Sequence, residues 1–234
     1  MTRKIAIFSD IHGNAEALKA IISDIKNRKI RTIYCLGDVI GIGPSPRECL
    51  DIVIDNSINM ILGNHELYYL KGTNIDNNME ESEREHHRWI SEQLNNKHRE
   101  FLNNCSLKIV KKIGIYNISF EHFILNNKVY PFEDLNIINS GEIIKKVESD
   151  ITFIGHEHKA FEINENSKKL IDVGSSGCTK DNNTFYTLLT IDNDNVQIEK
   201  INLKYNRNEF ERKFKNISYP DKEIIGKIFF EIND

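Results

Sequence analysis

The chain has 234 residues, 39% hydrophobic and 28% charged, a balance that fits a folded globular protein and excludes a disordered one. That length buries a sizeable core, and one domain spanning 1–234 is expected. The net charge is −4, and basic pairs such as Lys111–Lys112 and Lys168–Lys169 are short and scattered; this argues against polymeric nucleic acid but leaves room for a small anion in a cleft.

The amino terminus does not read as a signal peptide, because only Ile5 to Phe8 form an apolar run before Ser9 and Asp10. No run reaches membrane-spanning length, so no membrane partner is expected. Cys35, Cys49, Cys105 and Cys178 contain no Cys-x-x-Cys pair and read as reduced thiols of a cytoplasmic protein.

In chain order, "KIAIF" reads as a strand, "AEALKAIISDIKN" as a helix with Leu18, Ile21, Ile22 and Ile25 on one face, and "TIYCL" as a second strand. "SPRECLDIVIDN" opens with Ser-Pro, a good helix entry, and "NMIL" follows as a third strand. That alternation predicts βαβαβ with a largely parallel sheet. Residues 76–105 read as a polar helical segment with a sparse apolar seam, either a lid or a cover over a sheet edge. Strands then dominate through "IGIYNISF", "DITFI", "KLIDV", "FYTLLTI" and "NVQIEKINL", and 204–234 reads as a helical tail.

Five strands end in metal-type side chains: Asp10-Ile11-His12, Gly37-Asp38, Gly63-Asn64-His65-Glu66, Glu121-His122 and Gly155-His156-Glu157-His158. Strand ends of an α/β sheet converge on a crevice, where such folds bind ligands. Singly, each ending reads more readily as a cap, a turn or a core histidine. Their conjunction does not. If 156–158 is extended, both imidazoles point the same way about 6–7 Å apart, with Glu157 on the opposite face.

The segments "SDIHGN", "CLGDVIGIGPSP", "ILGNHE", the strand ending at His122, "FIGHEH" and "DVGSSG" resemble the calcineurin-like metallophosphoesterase superfamily, in particular its small prokaryotic phosphodiesterases. The resemblance implies a four-layer α/β/β/α sandwich with two mixed sheets. It also implies two divalent metals, manganese first, with iron, zinc and nickel open. Asp10, His12 and His158 would hold one metal, Asn64, His122 and His156 the other, with Asp38 bridging. His65 would stand outside the metals as general acid or transition-state stabiliser, and Asn14 would contact the phosphate.

The implied activity is hydrolysis of small, nucleotide-like phosphodiesters by a metal-bridging hydroxide. A phosphomonoesterase and a dinucleoside polyphosphate hydrolase are the alternatives on the same centre. Residue chemistry agrees: two dications against Asp10 and Asp38 leave a site of about +2, which attracts phosphate even in an acidic protein. A non-catalytic protein-binding scaffold is the rival from another class, and a complete ligand set weighs against it. A homo-oligomer is left open.

Three positions depart from the family pattern. Glu66 replaces a common Asp, and either orients His65 or serves as a helix-start acid. Phe123 stands where a small residue is common, so it narrows the pocket or simply packs. Glu157 stands where Thr is frequent. Of the remaining features, His86, His87 and His98 read as solvated helix faces, because adjacent histidines lack the i,i+4 spacing of a helical metal pair. "GSSG" at 174–177 reads as a tight turn or a phosphate cradle, and Cys178 has no evident basic partner.

Overall fold

The computed structural model describes residues 2–124 and 140–232. Strand β1 (Arg3–Phe8) leads through α1 (Ala15–Asn27), β2 (Thr32–Cys35) and α2 (Pro46–Asp55) to β3 (Asn59–Met60). These three strands pair in parallel, as the alternation of patterns predicts. Later in the chain, β9 (Asn183–Asp192) and β10 (Asn195–Lys204) add antiparallel on the other side of β1, so the first sheet runs β10-β9-β1-β2-β3. The second sheet runs β4-β5-β6-β8-β7, from β4 (Lys108–Ile113), β5 (Tyr116–Glu121), β6 (Ile151–Ile154), β7 (Phe161–Glu165) and β8 (Lys168–Asp172).

Side-chain alternation decides the layering. Ile5 and Ile7 of β1 face the second sheet, packing with Tyr34, Leu189, Ile118, Phe120 and Phe153. Tyr34 stacks on Phe120 with ring centroids 3.8 Å apart. Ala6 and Phe8 point the other way, into the cluster with Leu18, Ile21 and Ile25 of α1 and Leu50 and Val53 of α2. Helix α6 (Ser140–Lys146) covers the outer face of the second sheet, setting Ile143, Ile144 and Val147 in one cluster with Ile154 and Leu170. The architecture is a four-layer α/β/β/α sandwich with two mixed sheets. Burial on both faces, worth about 1.5–3 kcal/mol for each large apolar side chain, fixes where the strand ends lie.

Some sequence expectations change. "IGIYNISF" is not one strand: Gly114, at φ 65°, turns the chain between β4 and β5. β4 was missed because "KIVKKI" is a lysine-rich edge strand, polar enough to discourage further pairing. Lys204 still belongs to β10, and the tail's helices are α7 (Arg207–Asn216), α8 (Lys222–Ile225) and a π-helix at Gly226–Phe230.

Residues 76–105 form α4 (Glu81–Gln93) and α5 (Asn96–Asn103), which pack against α2 and α3 (Asn64–Lys71). Here the solvated-face reading is wrong. His86 and His87 are buried with Ile90, while Arg88 pairs with Glu81 on the outer side. Neighbouring helical residues lie about 100° apart, so an inward stripe that wide takes both imidazoles. His98 is fully buried as well: its Nδ1 accepts from the Asn95 N–H, and its Nε2 lies 3.2 Å from Asp51 Oδ1.

Candidate metal centre

Loops following β1, β2, β5 and β6, together with the start of α3, meet at one end of the sandwich. Asp10, His12, Asp38, His156 and His158 all hold positive φ, between 45° and 78°. His156 and His158 are therefore left-handed, and 156–158 is a loop and not the extended stretch on which the 6–7 Å spacing depended. Asp and His tolerate this region better than most residues, yet it costs about 1–3 kcal/mol each, and surrounding contacts must hold it. Backbone contacts do so: Asp10 N–H donates to Gly37 O, His12 N–H to Asp38 O, and Gly155 N–H to His122 O. Gly155 must lack a side chain, since a Cβ there would strike Ser9 and Asp10 Oδ2.

The predicted residues converge in two groups. In the first, His12 Nε2 and His158 Nε2 are 2.8 Å apart, and Asp10 Oδ1 lies 3.5 Å and 3.4 Å from them. In the second, Asn64 Oδ1 lies 3.2 Å from His122 Nε2 and 3.1 Å from His156 Nδ1. Asp38 Oδ2 sits between the groups, 3.2 Å from His122 Nε2 and 3.8 Å from His12 Nε2. Donor atoms about 2.0–2.2 Å from one ion lie about 3 Å from one another, which is the spacing found here. Asp10 Oδ1 is buried with no hydrogen-bond partner. These residues fit divalent metals, and the donor set of carboxylate, amide oxygen and imidazole suits manganese, iron, zinc or nickel.

Charge says the same. Burial alone would raise the Asp10 and Asp38 carboxyls, but His122 and the other imidazoles hold both well below the usual range. His122 is pushed the other way: burial disfavours its charge, yet Asp38 and Asp10 lift it to about 10. Without metal, a protonated His122 supplies the positive charge that buried carboxylates demand. Its Nδ1 is 2.7 Å from Leu36 O and donates to it, leaving Nε2 aimed at the centre. Phe123 packs edge-on against His122 and His156 from the core side, so it is both buried packing and a wall.

His65 stands next to this centre. Its backbone N–H donates to Asp38 Oδ1 at 3.0 Å, and its Nε2 is 4.0 Å from Asp38 Oδ2. Burial pushes its imidazole well below the usual range, so the ring is neutral near pH 7. Of the two roles offered for Glu66, the helix-start acid holds, at the third position of α3 with the Gly63 N–H on its carboxylate, and the orientation of His65 does not. Its carboxylate accepts four backbone N–H bonds, from Asp38, Val39, Ile40 and Gly63. Burial and the Asp38 charge push it up to about 7, but every partner is a donor, which favours the ionised form. Glu66 thus clamps the loop that presents Asp38.

Asn14 caps α1, with Oδ1 accepting from Ala17 N–H and one Nδ2 hydrogen donating to Gly177 O. Of the two readings of the 174–177 segment, the turn holds and the free cradle does not. Its N–H groups donate to Asp172 Oδ1, His158 O, Ser9 O and Asp10 O, docking the segment beneath the end of β1.

The sequence reading missed two neighbours of the site. His87, with its ring 4.9 Å from that of His65, brings the cover against the centre. Cys178 lies beside His12 and His158. Neither carries a local motif, because tertiary packing alone places them. On the outer side, Phe229 of the tail lies 6.1 Å from the His158 ring, and the His158 and His65 side chains remain 28% and 13% exposed, enough for a small molecule to reach.

Comparison with known proteins agrees with this geometry. Residues 3–194 match the calcineurin-like phosphoesterase superfamily domain, and the chain belongs to that family. It is a phosphate-ester hydrolase. An uncharacterized protein, MJ0912, of Methanocaldococcus jannaschii is 31% identical over 228 residues, covering 91% of this chain and 92% of its own. The hypothetical protein PH1004 from Pyrococcus horikoshii OT3 superposes with a TM-score of 0.82 at 19% identity, covering 99% of each chain. A symmetrical bis(5'-nucleosyl)-tetraphosphatase of Neisseria gonorrhoeae is 38% identical over 64 residues, 26% of this chain and 23% of its own.

Proposed function

We propose that this protein is a two-metal phosphodiesterase acting on small, nucleotide-like substrates. The observation that carries the reading is Asp38 Oδ2, placed between two groups of converging donors. Asp10, His12 and His158 would hold one ion and Asn64, His122 and His156 the other, with Asp38 shared. When bound, such ions lower the pKa of water and clamp phosphoryl oxygens, chemistry that manganese, iron, zinc or nickel can supply. His65, neutral and held beside Asp38, donates a hydrogen bond to charge developing on the phosphoryl or leaving oxygen, acting as a stabiliser and not as a charged acid. The cover and Phe123 keep bulk water from one side.

A small substrate fits the surroundings better than a polymer. Arg3, Lys4, Lys29, Arg31, Lys111 and Lys112, scattered in sequence, gather around a cavity of about 520 Å³ at the far ends of β1 and β2. That cluster makes no track to the centre. A second reading, hydrolysis of a dinucleoside polyphosphate, is favoured by the short stretch shared with tetraphosphatases. None of the helices among the described residues is long and apolar enough to cross a membrane. The four cysteines are free, which supports a cytoplasmic setting.

The test uses metal-stripped protein with and without Mn²⁺ on bis-4-nitrophenyl phosphate, 4-nitrophenyl phosphate and diadenosine tetraphosphate. Metal-dependent cleavage favouring the diester supports the proposal. A preference for the tetraphosphate moves the assignment to the second reading, and a preference for the monoester overturns the diesterase assignment.

A further inference from the structure

We propose that Cys178 is an additional ligand, through Sγ, to the metal held by Asp10, His12 and His158. The inference rests on the metal-centre reading and adds to it. Cys178 Sγ and one ring nitrogen from each of His12 and His158 lie within 4.8 Å of one another. A separate observation points to an ion at the same place. The two histidine Nε2 atoms converge to 2.8 Å, and Asp10 Oδ1, buried and without a hydrogen-bond partner, faces both.

The chain is built to hold the thiol there. Gly177 passes so close to the backbone at Ile11 that a Cβ would collide with it, and its N–H donates to Asp10 O. Ser175 Oγ donates to Asp10 O at 2.8 Å and accepts from the Cys178 N–H at 2.9 Å. These bonds tie residue 178 to the backbone of the first ligand. On the other side Cys178 packs against the apolar cluster that holds Tyr219 and Phe230 of the tail.

A dication held there would take the sulfur as thiolate, the S–H proton leaving to solvent as the sulfur–metal bond forms, with no oxidant required. The two halves of the centre then differ in kind. The first adds a soft sulfur donor, while the second offers only oxygen and nitrogen from Asp38, Asn64, His122 and His156. Sulfur donors select zinc, iron or cobalt over manganese, whereas oxygen-rich sets accept manganese. The centre would therefore take two different metals, the thiophilic one beside Cys178.

The experiment titrates metal-stripped, full-length protein with Co²⁺ and follows near-ultraviolet absorption. The expected result is a sulfur-to-cobalt charge-transfer band in the native protein. Cys178→Ser should lose that band while still binding cobalt, as read from the visible ligand-field bands. In a Zn²⁺/Mn²⁺ competition the same variant should shift toward manganese by at least about tenfold, the low end for weakening a metal's surroundings. Cobalt bound with ligand-field bands but no charge-transfer band in the native protein overturns the inference and leaves the metal centre standing. A band that persists in Cys178→Ser also overturns it, by assigning the sulfur elsewhere. Failure to bind cobalt at all overturns the centre itself. If Cys178→Ser does not fold, Cys178→Ala takes its place in the same test, and a native protein without the band overturns the inference in either case.

Discussion

Five of the residues in the candidate metal centre hold positive φ, whereas among the described residues none in α4 or α5 does. The cover is a regular helical pair, and its cost lies in side chains: both ring nitrogens of His86 and Nε2 of His87 are buried without partners. In the centre the backbone bends so that side chains converge, and the unpartnered Asp10 Oδ1 faces the Nε2 atoms of His12 and His158, where a cation can satisfy it. Burial pushes His86 and His87 down to about 3 and 4, so the cover presents neutral imidazoles to a centre built around two carboxylates. Unpartnered polar atoms beside a strained, converging backbone mark where ligands are aimed, while those on a regular helix mark where packing has overridden polarity.

The most severe way to break the comparison is Asp38→Ala, which removes the one atom shared by both groups. Bound metal should fall from two ions toward none, and activity should drop beyond the about 10–100-fold typical of losing an outer partner. Metal analysis of purified protein checks this. His65→Ala should instead retain both metals while turnover falls about 10²–10³-fold, the range for losing one transition-state donor. A His65 variant without metal would contradict the role given to it.

Glu66→Gln probes the clamp beneath the centre. An amide NH₂ would face two backbone donors, costing about 2–4 kcal/mol and loosening the Asp38 loop. Urea unfolding and a metal titration of the same variant should move together. If stability falls while metal affinity holds, the clamp does not position Asp38.

Asp172 sharpens the electrostatic half of the comparison. It is buried like Asp10 and Asp38, with Oδ2 unpartnered, but the Gly174 N–H and the His122 charge do not offset desolvation, and burial lifts it to about 8. The folded state therefore binds a proton that the unfolded state, near 3.8, releases, so stability falls as pH rises from about 4 to about 8. Asp172→Asn should escape this loss. Its stability advantage should be larger at pH 8 than at pH 5, as read from urea midpoints, and equal gaps would contradict the account. The smallest effect is expected in the cover, where His86→Leu should stabilise by about 1 kcal/mol through removal of unpartnered nitrogens. A destabilised variant would mean that a bound water satisfies them.

The strand endings were legible because an α/β sheet delivers them to one crevice whatever the local backbone does. Asp10, His12, Asp38, Asn64, His122, His156 and His158 come together for that reason, even though 156–158 is a loop and not extended. The helix-start part of Glu66's role was legible, but its hold on the Asp38–Ile40 turn was not, since that turn is distant in sequence. His87 and Cys178 were hidden for a related cause: each reaches the centre through packing between elements far apart in the chain. The β4–β5 hairpin was lost because apolar Ile115 occupies its turn beside Gly114, disguising a reversal as a continuous strand.

The most direct test of the central claim is a crystal of the protein grown with Mn²⁺ and Zn²⁺ and measured at both the manganese and the zinc absorption edges. The account predicts two anomalous peaks, one on each side of Asp38, within reach of the His12–His158 pair and the His122–His156 pair. A single peak, or peaks away from Asp38, would contradict a shared two-metal centre.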